Sequence, residues 1–193
     1  MPKLKRLPAK FYYQNTFKLA RSLLGKFIVR KIGSKNLIGK IVETEAYYGP
    51  NDLASHASAG KTERTKIMFD KPGAAYIYLI YGMYYCFNIV TEAKDFPAAI
   101  LIRALEPINF SKEANGPGKL CRALKIDKKL NGENLITSKK LYLAKNLKST
   151  STEALKERRQ IKSAKRIGVD YAGKYKDKLW RFYLKNNPYI SHK

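Results

Sequence analysis

Apolar residues recur at helical spacing in one segment of the chain and in short continuous or alternating runs elsewhere. Residues 17–24 follow the helical spacing, with Asn15 placed to cap the first turn and Gly25 placed to end the helix. Short helices are also predicted after Gly116 and over residues 151–159. The β-branched and aromatic runs predict strands, at residues 27–32, 37–47, 76–80, 84–90, 98–105, 141–143 and 179–184.

Two pairs of these strands are close enough in sequence to form hairpins. Residues 33–36 have the composition of a turn and join the first pair, and residues 81–83 join the second. The second turn therefore carries an aromatic residue, Tyr81, at its tip. Residues 49–66 show no period and predict a loop that carries His56 away from the end of a strand.

The charge of the chain is strongly unbalanced. It has 193 residues, of which 39 are Lys or Arg and 15 are Asp or Glu, and its formal net charge is +24. One domain spanning residues 1–193 is expected at this length, and 45% hydrophobic residues indicate a chain that folds. The charge indicates a polyanionic partner, with nucleic acid favoured over a membrane surface. A compositional bias toward lysine is the alternative.

The sequence shows no sign of export. Residues 1–10 are basic but lack the apolar run of a signal peptide, and no stretch of ~18 apolar residues occurs. We therefore expect a protein that is not secreted and that acts in the cytoplasm, with the nucleoid, or in the nucleus, depending on the host. Cys86 and Cys121 are too few for a disulfide framework or a metal cluster, so both are expected to be buried apolar residues.

Carboxylates, aromatic rings and a histidine are concentrated between residues 43 and 85. Glu43 and Glu45 would share one face of a strand, and Tyr47, His56 and a run of tyrosines follow them. Positive charge attracts a polyanion, rings stack on an unpaired base, and a carboxylate can activate a water molecule beside it. Together these features indicate an enzyme that works on nucleic acid. Ordinary surface charge is the alternative interpretation of the two carboxylates.

Several blocks of sequence occur in a characteristic order: VETEAY at 42–47, YLIYGMY at 78–84, LIRALEP at 101–107, GPGKLCRAL at 116–124, RIGV at 166–169 and RFY at 181–183. In this order they resemble the alkyladenine (3-methyladenine) DNA glycosylase family, and the resemblance spans nearly the whole chain. It implies an α+β fold, with a single mixed domain built on a curved, largely antiparallel β-sheet with peripheral helices.

The resemblance also implies an activity and a site. Such an enzyme flips alkylated or deaminated purines out of duplex DNA and hydrolyses the N-glycosidic bond, which starts base excision repair. The resemblance assigns Glu45 as the general base that orients the attacking water. Asn88 would exclude the exocyclic amine of normal guanine. The residues implied to surround the flipped base are Tyr47, His56, Tyr78, Asn88 and Arg103.

Other residues are implied to contact DNA outside the base pocket. Tyr81, with Met83 beside it, would enter the minor groove and fill the gap left by the extruded nucleotide. Lys119 and Gly118 would lie at the phosphates. No metal ion or other cofactor is implied, and a monomer acting on duplex DNA that contains damaged purines is expected. Ala57 and residues 63–65 depart from the pattern of the family, which bears on substrate range.

Two other functions fit parts of the same pattern. A non-catalytic RNA- or DNA-binding protein would use the rings to stack on bases, with Glu45 in a structural role. A bifunctional glycosylase would add lyase activity through a lysine Schiff base, although no lysine of the catalytic blocks suggests one. A carboxylate buried beside the rings would favour the enzyme over the binder, because a binder gains nothing from an acid that faces a polyanion.

Overall fold

The computed structural model of the chain describes residues 2–148, 150, 152, 155–156 and 159–191. Within these residues the chain forms two α-helices and nine strands. The helices are α1 (Thr16–Leu23) and α2 (Pro117–Ala123). The strands are β1 (Leu4–Arg6), β2 (Phe27–Ile32), β3 (Lys35–Tyr48), β4 (Ala75–Ile80), β5 (Tyr84–Val90), β6 (Ala98–Pro107), β7 (Leu141–Asn146), β8 (Ile161–Ala164) and β9 (Arg181–Leu184).

The described strands form one sheet in which every pairing is antiparallel. The main order is β1-β7-β2-β3-β6-β5-β4, and β9 pairs with both β3 and β8. Strand β3 is the longest and exchanges hydrogen bonds with β2, β6 and β9. The register of β3 against β6 shifts between Ile41 and Thr44, as at a β-bulge. Glu43 and Glu45 therefore lie on a central strand of the sheet.

The fold class predicted from the resemblance is confirmed: the protein is α+β, with an antiparallel sheet and helices at its periphery. The predicted strands are present with small differences in their ends. Strands β1 and β8 were not predicted, because Leu4–Arg6 and Ile161–Ala164 are only three and four residues long and at least half polar. Most of the helix predicted over residues 151–159, and also His192, lie outside the described residues.

Helix α1 covers one face of the central strand. The Asn15 side chain accepts hydrogen bonds from the backbone N–H groups of Phe17 and Lys18, which confirms it as the cap. The Thr44 hydroxyl donates to the carbonyl of Ala20 at 3.1 Å, so Thr44 faces the helix. Because side chains alternate along a strand, Glu43 and Glu45 face the opposite side. The core and the candidate site therefore lie on opposite faces of β3.

The β4–β5 hairpin ends in a strained turn. The N–H of Met83 donates to the carbonyl of Ile80, and both central residues have positive φ angles, 53° at Tyr81 and 70° at Gly82. This pattern fits a type I′ turn, in which a bulky residue such as tyrosine is uncommon. Tyr81 is 84% exposed and Met83 is 65% exposed, which confirms the expectation of an exposed hairpin tip.

Neither cysteine forms a disulfide: Cys86 and Cys121 are both free and buried, as expected. In the part of the chain that the structure describes, no helix is long and apolar enough to cross a membrane.

Candidate active site

A pocket opens where the end of β3 meets the β4–β5 hairpin and the loop that follows residue 166. Its volume is about 130 Å³, and a cavity of ~150 Å³ is known to hold one benzene ring. The pocket is therefore close in size to one aromatic ring. Its wall contains five of the predicted site residues, Tyr47, His56, Tyr78, Asn88 and Arg103. The structure thus brings together the side chains that the resemblance assigned to the base pocket.

Glu45 lies directly behind this wall and is completely buried. Its Oε2 accepts hydrogen bonds from the Tyr47 hydroxyl at 3.0 Å and from Nη1 of Arg103 at 3.1 Å. Its Oε1 accepts one from the backbone N–H of Ile167 at 2.8 Å. A carboxylate has about four acceptor positions, so these donors leave one on Oε1. All three donors line the pocket, and they separate the carboxylate from it.

Glu43 is also completely buried, but the two groups that donate hydrogen bonds to it do not line the pocket. It accepts hydrogen bonds from Nη1 of Arg181 at 2.9 Å and from the backbone N–H of Ser191 at 2.6 Å. Nε of Arg103 lies 3.6 Å from it. Arg103 is therefore held between the two glutamates. The interpretation of either carboxylate as an ordinary surface charge is wrong.

The aromatic wall of the pocket is organised around His56. Its ring packs edge-on against Tyr78 with centroids 4.4 Å apart, and its Nδ1 lies 3.0 Å from the Tyr76 hydroxyl. Burial, and then the charge of Arg64, lower the pKa of His56 to about 4. The imidazole is therefore neutral at pH 7. Burial also raises the pKa of Tyr47 and of Tyr78 well above the usual value, so both phenols keep their protons.

Asn88 is fixed on the floor of the pocket. It is 3% exposed, and its Nδ2 donates to the backbone carbonyl of Tyr76 at 3.1 Å. This bond crosses from β5 to β4 and prevents the amide from rotating freely. Asn88 therefore presents a fixed shape to anything that enters the pocket.

The predicted DNA contacts lie outside the pocket. Nζ of Lys119 is exposed and forms an ion pair with Glu113 at 2.9 Å. Gly118 approaches the ring of Tyr84 so closely that an added Cβ atom would lie 3.0 Å from it. Glycine at position 118 thus allows helix α2 to pack against the hairpin whose tip carries Tyr81 and Met83.

Three residues that sequence reasoning missed support the site. Arg166 forms a buried ion pair with Asp52 at 2.6 Å, and Ile167 supplies the N–H that holds Glu45. Arg166 and Ile167 belong to one of the blocks that carried the resemblance, so that block was the available signal. Asp52 gave no signal beyond being one of few acids in a basic chain. Among the described residues, no group of three or more His, Cys, Asp or Glu side chains could hold a metal ion.

Comparison with known proteins finds relatives that match nearly the whole chain. A profile of methylpurine-DNA glycosylase (MPG) matches residues 10–188. A protein of Legionella pneumophila (strain Lens), provisionally named 3-methyladenine DNA glycosylase, is 48% identical over 189 residues, which cover 97% of this chain and 99% of that protein. Provisionally named 3-methyladenine DNA glycosylases of two other bacteria are also similar.

The protein of Natranaerobius thermophilus is 43% identical over 202 residues, covering 96% of this chain and 98% of its own. The protein of Clostridium perfringens (strain SM101) is 44% identical over 210 residues, covering 97% and 100%. These matches identify a class of hydrolases that cleave N-glycosyl bonds. The chain belongs to the methylpurine-DNA glycosylase family, which confirms the resemblance found in the sequence.

Proposed function

We propose that this protein removes alkylated or deaminated purines from duplex DNA by hydrolysing the N-glycosidic bond with a water molecule activated by Glu45. This reaction would start base excision repair. One observation carries the proposal: a completely buried carboxylate, oriented by three donors, lies directly behind the wall of a pocket lined by aromatic rings. A protein that only bound nucleic acid would gain nothing from that charge.

Access to the lesion requires the nucleotide to leave the helix. In this proposal the net charge of +24 attracts the phosphates, and Lys119 and the backbone at Gly118 contact them. The exposed ring of Tyr81, with Met83 beside it, enters the minor groove and occupies the space left by the flipped nucleotide. The strained φ angle of Tyr81 supports this role, because such strain is typical of functional positions.

Recognition of the base rests on the rings and on Asn88. Tyr47, His56 and Tyr78 enclose the flipped purine, and electron-rich faces attract a base that alkylation has made cationic. His56 is neutral at pH 7 and therefore does not repel that cation. The amide of Asn88, fixed against the backbone, excludes the exocyclic amine of normal guanine.

The chemical step is a displacement at the sugar carbon C1′. Glu45 accepts a proton from water as the water oxygen forms a bond to C1′, and the electron pair of the broken C1′–N bond passes to the base. A cationic alkylated purine leaves as a neutral molecule, which makes it a good leaving group. No lysine lines the pocket in the described part of the chain, and this favours water over a lysine Schiff base, and so a monofunctional glycosylase.

Water can reach Glu45 only if one of its covering donors moves. The Tyr47 hydroxyl is the side-chain donor that also belongs to the aromatic wall. Contact of its ring with a flipped base would shift the hydroxyl away from Oε2 and open a path by which water reaches the carboxylate. We therefore propose that Tyr47 couples base binding to exposure of the catalytic carboxylate. The protein works on its DNA as a monomer, without a cofactor, in the compartment that holds the DNA.

Glu45→Gln tests the proposal. The amide keeps the shape of the side chain but cannot accept the proton, so base release should fall by ~10²–10⁴-fold while binding to lesion DNA changes by only a few fold. Release is measured on duplexes that each carry one defined lesion. Glu43→Gln is the matched control. Wild-type release by Glu45→Gln would refute the assignment, and an equal loss in Glu43→Gln would transfer the role to Glu43.

A further inference from the structure

A second groove adjoins the base pocket. It has a volume of about 300 Å³ and shares Ala54, Ser55, His56 and Tyr171 with the wall of the pocket. Its remaining wall comes from residues of the loop after β3, among them Ser58, Thr62 and Arg64. No Asp or Glu residue lines it among the described residues, so its only formal charge is that of Arg64. The groove is thus positively charged and shares part of its wall with the pocket.

Arg64 differs from the cations that flank it. Lys61 pairs with Asp95 at 3.7 Å, and Lys66 pairs with Glu63 at 2.7 Å. Arg64 is exposed and has no carboxylate within ion-pair distance in the described part of the chain. Its guanidinium is therefore available for an anion from outside the protein.

Arg64 is also held in place by the pocket itself. Its guanidinium lies 5.3 Å from the centroid of the Tyr78 ring. Its charge lowers the pKa of His56 and opposes the rise that burial causes in the pKa of Tyr76. A guanidinium placed against a ring loses less conformational freedom when it binds an anion. Arg64 is therefore oriented at the boundary between the pocket and the groove before any ligand arrives.

A nucleotide whose base fills the pocket must carry its phosphates across the rim of that pocket. We propose that the groove binds the phosphodiester next to the flipped nucleotide, with Arg64 as its anchor. The planar guanidinium matches two phosphate oxygens through paired hydrogen bonds. Because Arg64 also contacts Tyr78, the same side chain joins recognition of the base to recognition of the backbone. This inference rests on the proposed function.

The test is a double-mutant cycle between the protein and the DNA. The probe is a duplex with a tetrahydrofuran abasic-site analogue, which cannot be hydrolysed, and each phosphate flanking the analogue is replaced in turn by a neutral methylphosphonate. For the phosphate that Arg64 contacts, neutralisation should weaken binding of the wild type by about 10- to 100-fold, as for a hydrogen bond to a charged group. The same replacement should cost Arg64→Gln almost nothing, and Arg64→Lys should recover only part of the loss.

Lys66→Gln is the matched control, since Lys66 lies on the same loop but not in the groove wall. It should behave like the wild type at every phosphate. Equal losses for Arg64→Gln and wild type at every methylphosphonate would overturn the inference, as would normal affinity of Arg64→Gln. Binding is measured here without base release. If the Arg64 cycle fails while Glu45→Gln loses base release as expected, only the inference about the groove is refuted. If the Arg64 cycle succeeds while Glu45→Gln releases base like the wild type, only the proposed function is refuted.

Discussion

Arg166 and Asp52 form a bidentate ion pair that is completely enclosed by protein. Nη1 and Nη2 of Arg166 donate to the two carboxylate oxygens of Asp52 at 2.6 and 2.8 Å, and neither side chain is exposed. The guanidinium also donates to the carbonyl of Ala46 and lies 4.8 Å from the centroid of the Tyr47 ring. The pair therefore lies directly beneath one wall of the base pocket.

This ion pair joins three segments that build the pocket. Asp52 accepts the backbone N–H groups of Tyr48 and Ala54, which tie the end of β3 to the loop that carries His56. Arg166 is followed by Ile167, whose N–H holds Glu45. A change at Asp52 therefore affects both the shape of the pocket and the position of the carboxylate.

Replacing Asp52 by Asn should be strongly destabilising. The amide keeps the volume but removes the negative charge, and Arg166 is left as an uncompensated buried cation, which typically costs ~3–5 kcal/mol. Denaturant unfolding measures the loss. Base release by the folded fraction should also fall, because Ile167 no longer holds Glu45 firmly.

Asp177→Asn is the control for Asp52→Asn. Asp177 pairs with Lys165 at 2.6 Å, but both side chains are largely exposed, so the substitution should change the free energy of unfolding little. Similar losses from both substitutions would show that the enclosure of the Arg166–Asp52 pair has no special importance.

Tyr47→Phe should separate two roles of the same ring. The substitution keeps the aromatic face but removes the hydroxyl that covers Oε2 of Glu45. If that hydroxyl must move before water can reach the carboxylate, single-turnover base release should be retained or increased. Tyr47→Leu, which removes the ring, should weaken binding of lesion DNA. A large loss of release in Tyr47→Phe alone would show that the hydroxyl assists catalysis instead.

The sequence predicted the residues that line the pocket better than the buried residues that hold them in place. Tyr47, Tyr78 and Arg103 lie in blocks of local sequence that carry the resemblance, whereas His56 and Asn88 were assigned by their positions between those blocks. The structure places all five in the wall of one pocket. The strand pattern also gave both hairpins, since alternation and turn composition are local properties. The part of the site that depends on short, contiguous motifs is therefore visible in the sequence.

The partners of Glu45 and Arg166 could not be predicted in the same way. Asp52 and Arg166 are 114 residues apart, and Glu45 and Ile167 are 122 apart, so no local spacing relates them. The donor to Glu45 from Ile167 is a backbone N–H, which any residue could supply. Only the path of the loop after β8 brings these groups together.

His56 should make stability depend on pH in a defined window. The pKa of the folded protein's imidazole is about 4, below its usual value of 6.5, so the unfolded chain binds the extra proton as pH falls through this range. Stability should be unaffected by this group above about pH 6.5 and should decrease between pH 6.5 and 4. The free energy of unfolding, measured against pH, should fall less steeply in His56→Gln. Identical slopes would indicate that the ring is hydrated and titrates normally.

Lys119 should contribute one phosphate contact, in competition with Glu113. Lys119→Ala should reduce the slope of log K against log salt by about one unit and weaken lesion and undamaged duplexes alike. Glu113→Gln should strengthen binding, because it releases Nζ from its ion pair. Lys40→Ala is the control and should leave the slope unchanged, because the Lys40 side chain is mostly covered and pairs with Glu106 at 3.9 Å. A loss confined to lesion DNA would argue against a phosphate contact.

Tyr81→Ser should distinguish a DNA-inserting ring from a structural one. The ring is 84% exposed, so its loss should leave thermal stability nearly unchanged, whereas truncation of a buried aromatic typically costs ~3–5 kcal/mol. Binding and base release should both weaken, because nothing fills the space left by the flipped nucleotide. The defect should be largest for a well-paired lesion and smaller opposite a mismatch, since a mispaired base leaves the helix more easily.

Tyr13→Ser, at a residue that is 62% exposed but lies before helix α1 and not at the tip of the β4–β5 hairpin, is the matched control for Tyr81→Ser and should behave like the wild type. Tyr81→Gly adds a second comparison. Glycine adopts the positive φ of this position without strain, so it should lose the DNA contact while the folded protein becomes slightly more stable. A large decrease in melting temperature, or a defect that is the same for every lesion, would contradict insertion of Tyr81 into DNA.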